Sequence, residues 1–453
     1  MTSVTNTARQ TFRSLRSPNY RLYFFGQIIS VSGTWMQSVA LGWLVLKLTD
    51  SGTWLGLVIA AQFLPMLLLG PFGGVIADRV DKRRFLLLTQ TLAGALALVI
   101  GVLVATDTVQ LWMVFALAVA VGTVNAFDMP ARQTFVYEMV GPDLLANAVT
   151  LNSVVMNGAR IVGPAIAGVL IATVGLAPCF FVNGVSYAAC VIALTMMRPA
   201  DLVAAEAQPR QKGQLREGFR YVWSNPGLRT PLLLMAAIGT LTYEFQISLP
   251  LIARNTFGVG AGGYGFMTSA MGLGAVIGGL VAANRARPTR RKLGGAGIVF
   301  GLLVLVASAM PTFGTVLVVL PLLGAASVTF IALANTNLQL QAVPEMRGRV
   351  MALYAVAFTG TTPIGGPVVG WIGQTMGARS ALVLGGVTAV VASMLAWRSL
   401  NRPLAVEIPV PADEVAELVR RGAVEAEELD ADQLLDESPT GEVAAVPALS
   451  LAS

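Results

Sequence analysis

Twelve long apolar segments divide this chain, and they constrain its fold more than any other feature of the sequence. A helix that crosses the roughly 30 Å hydrocarbon core of a bilayer needs about 20 mostly apolar residues, because its backbone polar groups must be bonded within the segment. Only 12% of the residues are charged, which is about half the share found in soluble proteins. We therefore predict an all-α membrane protein with twelve transmembrane helices. The predicted spans are 22–47, 53–77, 85–105, 110–132, 148–173, 176–197, 231–254, 264–283, 293–312, 314–336, 350–373 and 378–398.

The distribution of basic residues indicates how the chain is oriented in the membrane. With a cytoplasmic N-terminus, only Lys47, Arg254 and Arg379 of the 30 Lys and Arg residues lie outside. One more, Arg160, lies within a span. Because cytoplasmic loops carry an excess of Lys and Arg, we predict a multi-pass protein of the cytoplasmic membrane with both termini in the cytoplasm. The net charge of +6 then reflects membrane topology, and we expect no nucleic-acid partner.

The chain repeats itself at an interval of about 200 residues. The segment GGVIADRVDKRR (73–84) is echoed by GGLVAANRARPTRRK (278–292), and Gly163-Pro164 recurs as Gly366-Pro367. These repeats indicate a duplicated six-span unit, whose parallel halves would be related by an axis along the membrane normal. We predict four regions: a six-helix half at 1–200, a cytoplasmic linker with an amphipathic helix at 201–228, a second six-helix half at 229–400, and an acidic cytoplasmic tail at 401–453.

A short charged loop joins the second apolar segment to the third, within GPFGGVIADRVDKRR (70–84). Its spacing resembles the loop 2–3 signature of the major facilitator superfamily, G-x-x-x-D-R-x-G-R-R. Gly74, Asp78, Arg79 and Arg83 match that signature, and the two positions directly before Arg83 depart from it. The resemblance implies the fold of that superfamily, with twelve helices in two pseudo-symmetric six-helix halves and access to alternate sides of the membrane.

The same resemblance implies a gate at the cytoplasmic ends of the helices. Asp78 would face the start of the eleventh span, whose helix N-terminus is partially positive, and would hold the cytoplasmic side closed. The arginines assigned to this gate are Arg79, Arg83, Arg347 and Arg349. Asp128 and Arg132 lie one helical turn apart near the inner end of the fourth span, and we interpret them as a mainly structural pair that forms a local gate element.

Three further segments narrow the resemblance to one branch of the superfamily: SPNYRLYFFGQIISVSGTWMQSVALGWLVLKLTDS, AFDMPARQTFVYEMV and VPEMRGRVMALY. They resemble the enterobactin-exporter-like branch, also called transmembrane secretion effectors, and the similarity extends over roughly residues 15–400. This resemblance implies that the proton gradient drives the export of a small molecule across the cytoplasmic membrane. A siderophore, a drug or another amphipathic metabolite would suit such a transporter.

The fifth span contains a motif that favours export. Its sequence NGARIVGPAIAG (157–168) resembles the G-P-x-x-G-G signature of antiporters, with one glycine of the final pair replaced. Small residues and prolines at such positions let helix backbones approach one another closely. The residues expected to pack in this way are Gly74, Gly163, Pro164, Gly168, Gly366 and Pro367.

Two ionisable residues lie deep within predicted spans, where a charge costs about 2.5–3.5 kcal/mol on insertion scales and marks a functional candidate. Glu244 lies roughly 21 Å into the seventh span at helical rise, and we predict that it takes up and releases the coupled proton. Arg160 lies roughly 15 Å into the fifth span, and we assign it to the same coupling site. Arg160 would attract an anionic substrate, pair with a carboxylate, or act as a structural arginine bonded to helix carbonyls.

Polar residues along three spans are candidates for the wall of a substrate cavity. Ser153, Asn157 and Arg160 share one helical face of the fifth span, so this face is expected to line the cavity. The first span carries a polar stripe that includes Gln27, Ser30 and Thr34, with Gln37 beside it. For this stripe, substrate contact and helix–helix hydrogen bonding are equally open interpretations. The candidate cavity residues are Gln27, Ser30, Thr34, Gln37, Asn157, Tyr243 and Gln246.

Several chemistries are excluded by residues that the sequence lacks. It has no histidine, which removes Ser-His-Asp and histidine–zinc sites, and it has no P-loop for ATP. We expect no enzyme activity, no cofactor and no metal. The expected partners are a small-molecule substrate, protons and the lipid bilayer, and we expect a monomer. Two other classes stay open: a lysophospholipid flippase or nutrient importer on the same fold, and a non-transporting receptor or scaffold.

Overall fold

A computed structural model describes residues 12–77, 79–203, 214–284 and 290–400 of the protein. Within these ranges the chain is helical almost throughout and contains no β-strand. The prediction of an all-α protein is therefore confirmed. Asp78, which the sequence predicts as a gating residue, and the acidic tail at 401–453 lie outside the described residues.

Fourteen helices of seven or more residues make up the described chain. The first group is α1 Pro18–Thr49, α2 Gly52–Ala77, α3 Lys82–Ala105, α4 Leu111–Thr173 and α5 Ala177–Met196. The short helix α6, Gln214–Ser224, follows. The second group is α7 Pro226–Leu241, α8 Phe245–Leu251, α9 Ala261–Asn284, α10 Arg290–Ala309, α11 Phe313–Gln341, α12 Pro344–Phe358, α13 Thr362–Thr375 and α14 Ala378–Leu400.

Ten helical segments of the described chain are long and apolar enough to cross a membrane, with α7, α8 and the turn after them counted as one. Helix α4 has 63 residues, which at 1.5 Å per residue is about 95 Å and enough for two crossings of a roughly 30 Å core. It is kinked at Gly141, whose φ of +70° favours glycine. Helices α12 and α13 have 15 and 14 residues and are each shorter than a span. The count of twelve crossings therefore stays a prediction.

Two of the predicted spans are interrupted, which the sequence analysis did not anticipate. The seventh breaks between Leu241 and Phe245, where the Thr242 hydroxyl donates a hydrogen bond of 2.8 Å to the Gly385 carbonyl of α14. The eleventh breaks between α12 and α13, because Pro363 disfavours helical conformation in the residue before it and is well suited to the first turn of a new helix. The break in the seventh span places Glu244 directly before α8.

The two groups of helices meet along α2–α13 and α4–α9. At the first junction, a Cβ added to Gly56 would lie 2.2 Å from the Gly366 carbonyl oxygen. At the second, a Cβ on Gly265 would lie 2.5 Å from the Pro164 carbonyl oxygen and 2.7 Å from the Gly168 Cα. These backbones are close enough that only glycine fits. The pseudo-symmetry of the two groups and the region boundaries at 200, 228 and 400 stay predictions.

Helix α6 lies against the start of α12. Glu217 forms an ion pair of 2.7 Å with Arg349, and the Tyr221 hydroxyl accepts a hydrogen bond of 3.3 Å from the Val343 backbone. Phe219 and Trp223 are exposed and their rings stack at 5.3 Å. An exposed aromatic pair beside a charged face is typical of a helix that lies at a membrane surface, as the sequence predicts for this linker.

Candidate functional site

A buried polar cluster centred on Asp128 joins three helices of the first group. Asp128 is 1% exposed and accepts hydrogen bonds from Thr89 at 2.6 Å and from Gln90 at 2.7 Å. It also forms an ion pair with Arg132, whose Nε lies 2.9 Å from Oδ2. Arg132 donates a further bond of 2.9 Å to Gln27 on α1. The charge of Asp128 is thus matched and fully hydrogen-bonded, which is what makes a buried ion pair tolerable.

The polar stripe of the first span contacts α5. The Gln37 side chain accepts a hydrogen bond of 2.6 Å from Asn183, and the Thr34 and Tyr187 hydroxyls are 3.3 Å apart. Ser30 is 2% exposed. These contacts, with those of Gln27, support helix–helix hydrogen bonding as the role of the stripe. Substrate contact by these four residues stays a prediction.

Glu244 lies at the break of the seventh span and is 4% exposed. Its carboxyl lies beside the hydroxyl of Thr362, the first residue of α13. Its Oε1 atom makes no hydrogen bond to any described residue. A Cβ added to Gly365 would lie 3.1 Å from Oε1 and only 1.8 Å from the Thr240 carbonyl oxygen. Helix α13 therefore covers the carboxyl closely because residue 365 is a glycine.

Arg160 lies where the two groups of helices meet. Its guanidinium carbon is 4.8 Å from the centre of the Trp35 ring on α1, and it is close enough to Tyr243 for an electrostatic interaction. Tyr243 is held by a 2.8 Å hydrogen bond from its hydroxyl to the Ser327 carbonyl and by edge contact with Phe358 at 4.9 Å. Arg160 and Tyr243 are thus brought together from the fifth and seventh predicted spans.

The helical face around Arg160 changes from open to sealed along α4. Ser153 is exposed and Asn157 is half-buried, and both hydrogen-bond only within the helix, whereas Pro164 and Gly168 are buried. Of the other candidate cavity residues, Gln246 lines a small cavity with Ser38 and Gln62. The exposure of this face therefore decreases towards Pro164, and its role as a cavity wall stays a prediction.

The contacts of three described gate residues, Arg83, Arg347 and Arg349, do not join the first group of helices to the second. Arg83 donates to the carbonyls of Leu194, at 2.7 Å, and Thr195, at 2.9 Å. Arg347 donates to the Gln339 carbonyl at 3.1 Å, and Arg349 pairs with Glu217 of α6. Arg79 is exposed. The predicted contact between Asp78 and the start of the eleventh span stays a prediction.

A second set of contacts, near the opposite ends of the helices, was not identified from the sequence. Asp50 pairs with Arg254 at 2.8 Å, and the Ser51 hydroxyl donates to the side chain of Gln374. Gly52 and Gly370 approach so closely that a Cβ on Gly370 would lie 2.1 Å from the Gly52 carbonyl oxygen. The basic side chain of Arg254 outside the membrane was the one signal that could have pointed here.

The described chain thus has the features of a helical membrane transporter: membrane-length helices in two groups, a buried carboxyl at a helix break and an arginine between the groups. The protein belongs to the transmembrane secretion effector family of the major facilitator superfamily, whose family model matches residues 9–424.

Two named relatives are similar to the chain over most of its length. The chain is 26% identical to the multidrug efflux pump Tap of Mycolicibacterium fortuitum over 372 residues, which is 80% of this chain and 91% of Tap. It is 25% identical to the enterobactin exporter EntS of Escherichia coli O6:K15:H31 over 373 residues, which is 79% of this chain and 86% of EntS. The predicted family is confirmed.

Solved structures of transporters share the fold. One is a bacterial homologue of the human lysosomal transporter Spinster in an inward-facing, unoccupied conformation, with a TM-score of 0.67 at 14% identity, covering 84% of this chain and 97% of that chain. Another is the nucleoside transporter NupG, with a TM-score of 0.65 at 13% identity, covering 85% of this chain and 100% of that chain. At such identities the similarity is one of fold alone.

Proposed function

We propose that this protein is a proton-coupled secondary transporter that exports a small amphipathic molecule across the cytoplasmic membrane by alternating access. Its family and the two exporters among its relatives support export. The observation that carries the proposal is the environment of Glu244, which supports coupling to protons. Gating by Asp78, Arg79, Arg83, Arg347 and Arg349 is part of the same proposal.

Glu244 has the surroundings required of a carboxyl that exchanges a proton. Its side chain is buried and one oxygen makes no hydrogen bond to any described residue. The charged form of a carboxyl is strongly penalised away from water unless a partner compensates it. Asp128, by contrast, has an arginine and two further donors. Of these two buried acids, Glu244 is therefore the one whose charge the surrounding helices do not match.

The contacts between the two groups support a cycle in which access alternates. Among the described residues, glycines bring the two groups of helices close together in two regions. These regions run from Gly52 to Leu67 on α2 and from Arg160 to Gly168 on α4. Nearer the cytoplasmic ends, a Cβ on Gly70 or Gly158 would meet no atom within 4 Å. In the predicted orientation, this distribution supports a state that is closed outside and open to the cytoplasm as one member of the proposed cycle. Release outside requires those outer contacts to separate, and uptake of a proton at Glu244 from the outside would favour the return to the state that is open to the cytoplasm.

Proton movement in inverted membrane vesicles tests this proposal. The vesicles are energised, the internal pH is followed with a fluorescent probe, and siderophores and lipophilic drugs are added in turn. We expect one compound to release protons from wild-type vesicles and to have no such effect with Glu244→Gln, which keeps the size of the side chain and removes its charge. Asp107→Asn is the matched control, because Asp107 is exposed in a loop and asparagine tolerates its φ of +51°.

Three results would contradict this proposal in part or in whole. Proton release that persists in Glu244→Gln at the wild-type rate would exclude Glu244 as the coupling group. No proton release from folded wild-type protein across a wide panel would refute proton-coupled export and favour lipid transport or a scaffold. Accumulation of a labelled compound in right-side-out cells would indicate import.

A further inference from the structure

The guanidinium of Arg160 is the cation for which the described part of the membrane region offers no counter-charge. Arg132 is neutralised by Asp128, and Arg254 by Asp50. Arg160 forms no ion pair and no hydrogen bond with any described residue, and its guanidinium carbon lies over the Trp35 ring, 4.8 Å from the ring centre. Because an unmatched charge at this depth costs about 2.5–3.5 kcal/mol on insertion scales, a ligand of opposite charge would stabilise it.

The structural arginines of the same chain behave differently. Arg83 donates to two carbonyls at the end of α5, and Arg379 donates to the Met310 carbonyl at 2.7 Å. A purely structural Arg160 would bond helix carbonyls in the same way, and it does not. Its five N–H donors are therefore available to a ligand, and the half-buried side chain keeps part of its surface accessible.

Trp35 and Tyr243 set the shape of the site around this cation. A guanidinium placed over an indole ring is attracted by the ring face, and its N–H groups can still donate the two parallel hydrogen bonds that a carboxylate accepts. Tyr243 lies near Arg160 on the other group of helices and belongs to an aromatic cluster with Phe300 at 5.2 Å and Phe358 at 4.9 Å. Phe300 is 0% exposed, so a planar ring beside the anion would contact Tyr243 and Phe358, the half-buried members of the cluster.

From these observations we propose that the cargo is an aromatic anion, a planar ring system that carries a carboxylate or an equivalent negative group, bound by Arg160 between Trp35 and Tyr243. This inference rests on the proposed transport function and names the substrate class of that site. The anion supplies the charge that the described helices do not, and the ring occupies the aromatic surface. Both groups of helices then contact the cargo, so its binding is sensitive to their relative position.

Binding to the purified full-length protein tests the substrate class independently of transport. Equilibrium dialysis in nanodiscs of neutral phosphatidylcholine compares three ligands that share the naphthalene ring system and differ in charge. They are the anion 2-naphthoate, the neutral 2-naphthamide and the cation 2-naphthylmethylammonium. We expect the wild-type protein to bind naphthoate at least about tenfold more tightly than naphthamide, which corresponds to about 1.4 kcal/mol. We expect the ammonium compound to bind most weakly.

Substitutions at Arg160 decide whether this residue causes the preference. Arg160→Gln should bind naphthoate and naphthamide equally. Arg160→Lys should keep a preference for the anion but bind it more weakly, because an ammonium lacks the planar fork of a guanidinium. Arg21→Gln removes an exposed arginine at the start of α1 and should leave the wild-type order unchanged.

The inference is overturned if the ammonium compound binds as tightly as naphthoate, if naphthoate does not bind at millimolar concentration, or if Arg160→Gln keeps the preference for the anion. The two proposals fail separately. Preserved anion preference without proton movement in vesicles would refute coupled transport alone. Proton movement driven by neutral or cationic compounds alone would refute the substrate class alone.

Discussion

Gly56→Ala tests the close junction between α2 and α13. The added Cβ would lie 2.2 Å from the Gly366 carbonyl oxygen, whereas ordinary contact begins near 3.4 Å. The two backbones must therefore separate by about 1.2 Å. Overpacking of this kind costs about 1–3 kcal/mol. If the contact exists only in the state that is closed outside, that state loses about 5- to 150-fold in population against the outward-open state.

Spin-label distances across the outer side measure that population. Labels at Thr106→Cys and Met376→Cys report on the two groups from exposed positions near their outer ends. The native cysteines, Cys179 and Cys190, are buried and stay in place. In proteoliposomes we expect Gly56→Ala to raise the fraction of long distances relative to the wild type.

Two other glycines serve as controls for this prediction. Gly70→Ala lies on the same helix, where the added Cβ would meet no atom within 4 Å, and should leave the distances unchanged. Gly366→Ala would place its Cβ 3.0 Å from the Gly56 carbonyl oxygen and should have a smaller effect than Gly56→Ala. A distance distribution in Gly56→Ala that equals the wild type, or an equal change in Gly70→Ala, would refute the reasoning.

Two further predictions concern the ion pairs. Asp128→Leu leaves Arg132 buried without a counter-charge and should destabilise the protein by about 3–5 kcal/mol, seen as a lower midpoint of thermal unfolding in detergent. Adding Arg132→Met to Asp128→Leu should recover most of the lost stability. An Asp128→Leu protein as stable as the wild type would contradict the buried ion pair between Asp128 and Arg132. Asp50→Asn removes the ion pair with Arg254, in which the two side chains are 77% and 33% exposed. The free energy of unfolding should therefore fall by less than about 1 kcal/mol, and transport rates should stay within about fivefold of the wild type. A larger loss of transport would show that this pair acts as an essential gate.

The membrane class, the family and most helix positions could be predicted from the sequence because they depend on long apolar runs and on local motifs. The interrupted spans could not, although Pro363 and Gly360 offered a signal. A run of apolar residues has the same composition whether its helix is continuous or broken. The break at Glu244 is accompanied by a hydrogen bond from Thr242 to the Gly385 carbonyl, more than 140 residues away, and the sequence of the span does not reveal this contact.

The candidate site could be predicted residue by residue but not as an arrangement. Glu244 and Arg160 stand out in the sequence because charge is rare in membrane spans. Trp35, Thr362 and Gly365 became meaningful only through their positions beside these two residues. The polar stripe of the first span shows the reverse case, since helical periodicity groups Gln27 with its neighbours but cannot distinguish a cavity wall from a helix interface.

The hydrogen bonds of Asp128 have a mechanical consequence. They tie α1, α3 and α4 together, and Gln27 extends the cluster to Cys190 on α5 through a 3.2 Å contact with its sulfur. Sliding any of these helices past the others would leave a buried charge without its hydrogen bonds. We therefore expect the first group to move as a rigid body. The second group is interrupted in two neighbouring helices, on either side of Glu244. Bending during the transport cycle is therefore expected to be concentrated in that group, where it would change the surroundings of the Glu244 carboxyl.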